Sequence, residues 1–103
     1  MLAWFSITPI GTGHPSVSAE VARAVAAVRA LEVRCDTDAS GTLVEGTWDE
    51  CTAAIKAASD AVLETAPRVS VTVKFDVRTD KPDQAGTDKL ASLDRALEES
   101  AER

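Results

Sequence analysis

One segment, from Arg68 to Arg78, alternates apolar and polar residues more regularly than any other part of the chain. Successive side chains of a strand point to opposite faces, so this pattern predicts a long β-strand. Its apolar face carries Val69, Val71, Val73, Phe75 and Val77. Its polar face carries Arg68, Ser70, Thr72, Lys74, Asp76 and Arg78. A strand of this kind is typical of an antiparallel sheet that helices cover on one side only.

The remaining elements follow from apolar spacing and turn residues. Alternation predicts strands over about residues 2–9, 33–36 and 42–46, and helical spacing predicts helices over about 17–31, 47–65 and 87–102. The order β-α-β-β-α-β-α places the chain in the α+β class, as a ferredoxin-like βαββαβ sandwich with an antiparallel four-stranded sheet and an extra C-terminal helix. At 103 residues, the chain is expected to form a single domain over 1–103.

Two predicted helix starts carry candidate capping residues. Thr47 and Glu50 have the spacing of a capping box, in which each side chain accepts from the backbone amide of the other residue. Ser16 or Ser18 is expected to cap the first helix.

Composition excludes several classes of function. Acidic residues exceed basic ones by 17 to 11, for a net charge of −6, and a nucleic-acid backbone would be repelled by such a surface. No apolar run approaches the ~20 residues that span a bilayer, and the first residues lack a basic leader, so a cytoplasmic location without membrane contact is expected. Cys35 and Cys51 are expected to be reduced packing residues.

The loop Gly11–Ser16 joins a strand to a helix, as phosphate-binding loops do. It lacks both the Gly-Lys-Ser/Thr ending and the third glycine of the nucleotide-binding motifs. A tight turn is therefore favoured, with an anion site at the helix start as the alternative. His14 is the lone histidine, and no Cys-x-x-Cys spacing accompanies it, so neither a metal site nor catalysis is expected.

Glu45 and the polar face of the last strand are the candidate binding groups. Glu45 is expected either to pair with Lys74 or Arg78 or to face a ligand. Strict alternation puts Glu45 on the same side as Leu43, unless Gly46 introduces a bulge. Trp4 is expected on the open side of the sheet, where it could contact another subunit or stack on a ring.

Three segments together resemble the thiamine-binding family of ferredoxin-like proteins, once catalogued only as uncharacterised. They are residues 9–18, 41–50 and 67–78. In the second segment, Thr42, Val44, Glu45 and Gly46 match a Thr-x-apolar-Glu-Gly pattern, and the third contains a Lys-x-Asp-x-Arg run. The resemblance spans about residues 3–95. One departure is Glu20, where the family is expected to have an aromatic residue, usually Tyr.

The resemblance implies non-catalytic binding of thiamine or its hydroxymethylpyrimidine moiety, as a carrier, buffer or sensor, with no other cofactor. Glu45 would accept hydrogen bonds from the aminopyrimidine, Lys74 would orient Glu45, and Arg78 could meet a phosphate. Neutral hydrogen bonds would come from Ser6, Thr8 and Thr42. The resemblance also implies homo-oligomers, with dimers pairing into tetramers and ligand sites near the subunit boundaries.

Two other functions stay open on the sequence. The chain could be a regulatory or assembly subunit that docks a protein partner through the open sheet face. A small ferredoxin-like enzyme is the least supported reading, because only scattered carboxylates and His14 are available as acid/base groups.

Overall fold

The alternating and helical patterns form the expected layers. The computed structural model describes residues 1–101. Its elements are β1 (Leu2–Ile10), α1 (Ser18–Arg29), β2 (Arg34–Thr37), β3 (Thr42–Glu45), α2 (Trp48–Leu63), β4 (Arg68–Asp76) and α3 (Gly86–Ala101). All neighbouring strands are antiparallel, in the order β2-β3-β1-β4. The predicted ferredoxin-like α+β fold with an extra C-terminal helix is confirmed.

Element ends differ from prediction where local contacts redirect the chain. β4 stops at Asp76, and Arg78 lies beyond it, where its guanidinium donates to Asp80. α1 ends at Arg29, because Glu32 takes a left-handed φ of 59° that a helix cannot continue. The last residue predicted for α3, 102, lies outside the described residues.

Strand pairing separates the sheet into two faces. Phe5 lies opposite Val73 on β4 and opposite Thr42 on β3, so these side chains share one face. Ala3 and Val44 lie one pleat further along the same face. This face is covered by α1 and α2 and forms the core.

Small side chains dominate that core. α1 buries Glu20, Ala24 and Val28, and α2 buries Cys51, Ala54, Ala58 and Val62. Each set recurs every three to four residues, which places its members on one face of a helix. Because alanine projects little from the backbone, both helices can lie close to each other and to the sheet. Cys51 is buried and Cys35 is partly buried, and both are free thiols as predicted.

The two predicted caps have different outcomes. The capping box of α2 is confirmed, with the Glu50 amide donating to Thr47 Oγ1 and the Thr47 amide donating to Glu50 Oε1. The prediction for α1 is wrong, because the N-cap is Val17 and no side chain caps the helix. Ser16 precedes that position and Ser18 is already the first helical residue, so neither hydroxyl is at the capping position. Within residues 1–101, no helix is long and apolar enough to cross a membrane.

Candidate functional site

The uncovered sheet face carries two rows of side chains across the strands. One row runs Arg34, Glu45, Leu2 and Asp76 from β2 to β4. The next row runs Asp36, Leu43, Trp4 and Lys74. Trp4 is therefore on the open face, as predicted. Pairing is regular through Glu45, so Leu43 and Glu45 share this face without a bulge.

A groove of about 800 Å³ lies over these two rows. The sheet contributes apolar and charged side chains to its lining, and the first turn of α3 contributes the rest. Its main lining residues are Leu2, Trp4, Arg34, Asp36, Asp38, Leu43, Glu45, Lys74, Asp76, Gly86, Thr87, Lys89 and Leu90. Carboxylates and cations thus surround an indole ring and several leucines, a composition that suits a polar ligand with a flat ring.

Among the carboxylates that line the groove, Glu45 is the most enclosed, and it has two partners within the protein. Its side chain is 16% exposed, and its Oε2 lies 3.4 Å from Nε of Arg34. Its Oε1 accepts a 2.8 Å hydrogen bond from the backbone amide of Gly86. The ion partner is therefore Arg34 and neither Lys74 nor Arg78, because β1 lies between β3 and β4.

Glu45 also takes the role of a cap for α3. The residue before this helix, Ala85, has no side-chain acceptor for the free amides of the first turn. Asp88 accepts from the Ala85 amide, and Glu45 accepts from the Gly86 amide. A carboxylate at this end of a helix is also favoured by the helix dipole.

The close approach of α3 to β3 depends on a glycine. A Cβ atom at Gly86 would lie 2.7 Å from Cδ2 of Leu43 and 3.4 Å from Oε1 of Glu45. Carbon atoms in contact prefer about 3.5–4.0 Å, so a side chain here would require either the Leu43 methyl group or the first turn of α3 to move. Leu43 is thereby partly covered on a face that α1 and α2 leave open.

Asp76 holds the same turn from the other side of the groove. Its Oδ2 lies 2.5 Å from Nζ of Lys89, and its Oδ1 accepts a 3.0 Å hydrogen bond from Nε2 of Gln84. Gln84 is buried. The hydrogen bonds from Lys89 and then Gln84 hold the pKa of Asp76 below its usual value. This carboxylate is therefore ionised at neutral pH.

The Asp76 contacts predict a pH dependence for the docking of α3. Because the pKa of Asp76 is lowered by folding from 3.8, its contribution is fully present above that pH and is lost as the pH falls through the lower folded value. NMR should show the side-chain amide of Gln84 and the Lys89 signals shifting together in acid. Asp76→Asn should remove this transition, and a transition that persists in the variant would assign it to another group.

A second carboxylate of the groove, Asp38, is held by its own turn. Its Oδ1 accepts from the hydroxyl and the amide of Ser40 and from the amide of Gly41. The hydroxyl bond, followed by the two amide bonds, lowers the pKa of Asp38. This end of the groove therefore carries a fixed negative charge.

The indole of Trp4 lies directly over a glycine. A Cβ atom at Gly41 would be 2.8 Å from Cε2 of Trp4 and 2.5 Å from the carbonyl oxygen of Phe5. The second tryptophan, Trp48, is 53% exposed and packs on Phe75, with ring centroids 4.8 Å apart. It does not line the groove.

The six residues predicted to bind a ligand fall into separate places. Glu45 and Lys74 line the groove. Ser6 and Thr8 lie further along β1, opposite Thr72 and Ser70. Thr42 is buried on the helix-covered face, with its hydroxyl 3.1 Å from that of Thr37. Arg78 is outside the groove and paired with Asp80.

Sequence reasoning missed the contribution of β2 and α3 to the groove. Arg34 lies on a predicted strand to which the sequence assigns no binding role, and the first turn of α3 lies outside the three segments that carry the family resemblance. Two signals pointed to the α3 contact: Ala85 leaves the helix without a cap, and Gly86 is a poor helix former at a helix start. Neither signal identifies Glu45 as the partner.

His14 and Glu20 lie away from the groove. Gly11 and Gly13 take left-handed φ values of 85° and 84°, which make the tight turn that precedes α1. His14 is exposed, and its Nε2 is 3.7 Å from Oε1 of Glu20. Glu20 belongs to the buried stripe of α1, so it lies on the opposite side of the sheet from the groove. Within residues 1–101, no group of three or more His, Cys, Asp or Glu side chains could hold a metal ion.

Comparison with known proteins identifies relatives over nearly the whole chain. A UPF0045 protein of Mycobacterium tuberculosis is 41% identical over 98 residues, covering 94% of each chain. One from Methanothermobacter thermautotrophicus is 41% identical over 93 residues, covering 88% of this chain and 93% of its own.

Solved structures share the fold. A hypothetical protein of Methanocaldococcus jannaschii has a TM-score of 0.81 at 35% identity, covering 89% of this chain and 93% of its own. A Thermotoga maritima protein, provisionally assigned to thiamine biosynthesis or salvage, has a TM-score of 0.76. That comparison covers 89% of this chain and 96% of the other at 15% identity, and so supports the fold alone.

The family comparison extends over the same part of the chain. Residues 3–94 match the family model described as thiamine-binding protein. The match includes β1 from its second residue, the other three strands, α1, α2 and the first part of α3, and therefore both sides of the groove. The chain belongs to the thiamine-binding protein family.

Proposed function

We propose that this protein binds thiamine or its hydroxymethylpyrimidine moiety in the groove, reversibly and without turnover. The observation that carries the proposal is the largely enclosed carboxylate of Glu45, in one groove with the indole of Trp4. Membership of the family supports the choice of ligand. A carrier, buffer or sensor would need this kind of reversible site.

The groove matches the chemistry of an aminopyrimidine. The Glu45 carboxylate can accept from the exocyclic amine and, when the ring is protonated, from the adjacent ring nitrogen. The indole of Trp4 offers a flat face against which the ring can stack. Pockets for small molecules commonly have volumes of about 300–1,000 Å³, and this groove is of that size.

The other half of thiamine carries a positive charge. Asp36, Asp38 and Asp76 line the groove together with Glu45, and these four carboxylates outnumber its three cations, Arg34, Lys74 and Lys89. The whole chain has a net charge of −6. Negative potential in a cleft raises the local concentration of a cation. These carboxylates would therefore favour the thiazolium ring as well as the protonated pyrimidine.

Of the six predicted binding residues, Glu45 and Lys74 carry the proposal, because they line the groove. Ser6 and Thr8 extend the same sheet face along β1. Thr42 faces the core and Arg78 pairs with Asp80, so the proposal gives these two residues no ligand contact. The absence of turnover is proposed because Glu45 and Asp76 are each engaged by protein cations and amides, and not by each other as an acid/base pair.

Isothermal calorimetry tests this function directly. Saturable heat with thiamine is expected at a micromolar or lower Kd, which corresponds to about 8 kcal/mol or more. Thiamine phosphate and hydroxymethylpyrimidine serve as comparators, and their order of affinity identifies the half of the ligand that the groove contacts. No heat and no thermal shift with all three compounds would contradict the proposal.

A second candidate function is that of a regulatory or assembly subunit, and the exposed apolar side chains of α3 favour it. Leu90, Leu93 and Leu97 are each more than half exposed on this helix, and exposed leucines at this spacing are typical of a helix that packs on a partner. We also propose self-association to a dimer or tetramer. Light scattering measures that assembly, and a defined oligomer that gives no heat with any of the three compounds would favour the second function.

A further inference from the structure

α3 contacts the rest of the protein mainly through its first, N-terminal turn. Its first turn contacts Glu45 through Gly86 and Asp76 through Lys89. The helix continues to Ala101 without a single buried residue. Few apolar contacts and exposed side chains are the features of a segment that opens at low cost. Within one subunit, the polar contacts of the first turn therefore hold α3 against the sheet.

One of these contacts uses the carboxylate that the proposed ligand requires. Oε1 of Glu45 already accepts from the Gly86 amide, and Oε2 faces Arg34. The side chain is 16% exposed, so little of its carboxylate is open to a second donor. An aminopyrimidine that binds both oxygens must share Oε1 with the Gly86 amide, and the small exposed fraction of the side chain leaves little room for both donors.

We propose that the first turn of α3 and the ligand compete for Glu45, so that ligand binding releases α3 from the sheet. This inference rests on the proposed thiamine site. α3 loses its cap when Glu45 turns to the ligand, because Ala85 has no acceptor to replace it. The competition is reciprocal: whatever loosens the first turn strengthens binding, and binding loosens the first turn by the same factor.

The Lys89–Asp76 ion pair provides a way to loosen the turn without altering Glu45. Lys89→Met keeps the length of the side chain and removes its bond to Asp76. Lys81→Met is the control, since it makes the same change of charge at an exposed position in the preceding loop, outside the groove lining. Because Lys89 also lines the groove, its loss removes a cation from the proposed ligand site as well, so tighter binding supports the competition only together with faster exchange of the α3 amides.

Calorimetry and hydrogen exchange together test the competition. Lys89→Met is expected to bind thiamine at least about fivefold more tightly than the unaltered protein, which is a typical size for coupling between sites. Lys81→Met is expected to bind thiamine with the affinity of the unaltered protein. In the unaltered protein, saturating thiamine should speed exchange of the amides from Gln84 to Lys89.

The opposite results identify a different mechanism. Weaker binding by Lys89→Met, or slower exchange of these amides with thiamine, would mean that α3 closes over the ligand, and the inference would be wrong while the thiamine site stood. Equal affinity of all three proteins with unchanged exchange would overturn it in the same way. Absence of heat from all three proteins would instead overturn the thiamine site, and the competition with it.

Discussion

Replacing Glu45 with Gln is expected to weaken thiamine binding by about 10- to 100-fold, because a hydrogen bond to a charged group contributes roughly 1.5–3 kcal/mol. The amide has nearly the same shape, and its oxygen can still accept from the Gly86 amide. It lacks the charge that favours a protonated pyrimidine, and its nitrogen would face Arg34 as a second donor. Calorimetry measures the loss, and circular dichroism checks that the fold is kept.

Glu64→Gln is the matched control for this experiment. Glu64 is an exposed carboxylate at the end of α2, paired with Arg23 on the helix-covered side of the molecule. The same loss of charge there should leave thiamine affinity unchanged. If Glu45→Gln also bound with unchanged affinity, Glu45 would not belong to the ligand site.

Gly41→Ala is expected to lower the free energy of unfolding by about 2 kcal/mol or more, since forced overpacking typically costs 1–3 kcal/mol. The new methyl group would lie 2.5 Å from the carbonyl oxygen of Phe5 and 2.8 Å from the Trp4 ring. The carbonyl belongs to β1, which pairs on both sides in the sheet, so the strand cannot move away freely. Urea denaturation followed by circular dichroism measures the change.

Ser40→Ala provides the comparison at the neighbouring position. It removes the hydroxyl that donates to Asp38 but leaves the Asp38 bonds from the amides of Ser40 and Gly41. An exposed hydrogen bond of this kind contributes little, so Ser40→Ala should unfold at a higher urea concentration than Gly41→Ala. Equal urea midpoints for Gly41→Ala and Ser40→Ala would show that the structure can accommodate a methyl group at position 41.

The sheet and its covering helices could be predicted because each repeats a local pattern. The alternation in β4 identified the faces of its residues, and the Thr47–Glu50 spacing identified the start of α2. These signals depend on neighbours a few residues away, and the structure confirms them. Errors arose at element ends, as at Glu32, where a single backbone conformation ends α1.

The groove could be predicted only in part. Glu45, Trp4 and Lys74 follow from strand alternation, which puts them on the uncovered face. The same alternation places Thr42 with Val44 on the buried face, although the family pattern includes both Thr42 and Glu45. The contact between Glu45 and Gly86 joins residues 41 positions apart, so no local spacing could reveal it.

The positions of the two indoles make the protein suitable for optical measurement. The chain has two tryptophans and no tyrosine, so its near-ultraviolet emission comes from Trp4 and Trp48. Trp48 is on the surface beside Phe75, whereas Trp4 is partly shielded in the groove. Trp48→Phe would leave a single fluorophore, and the intensity and wavelength of its emission would follow events in the groove alone.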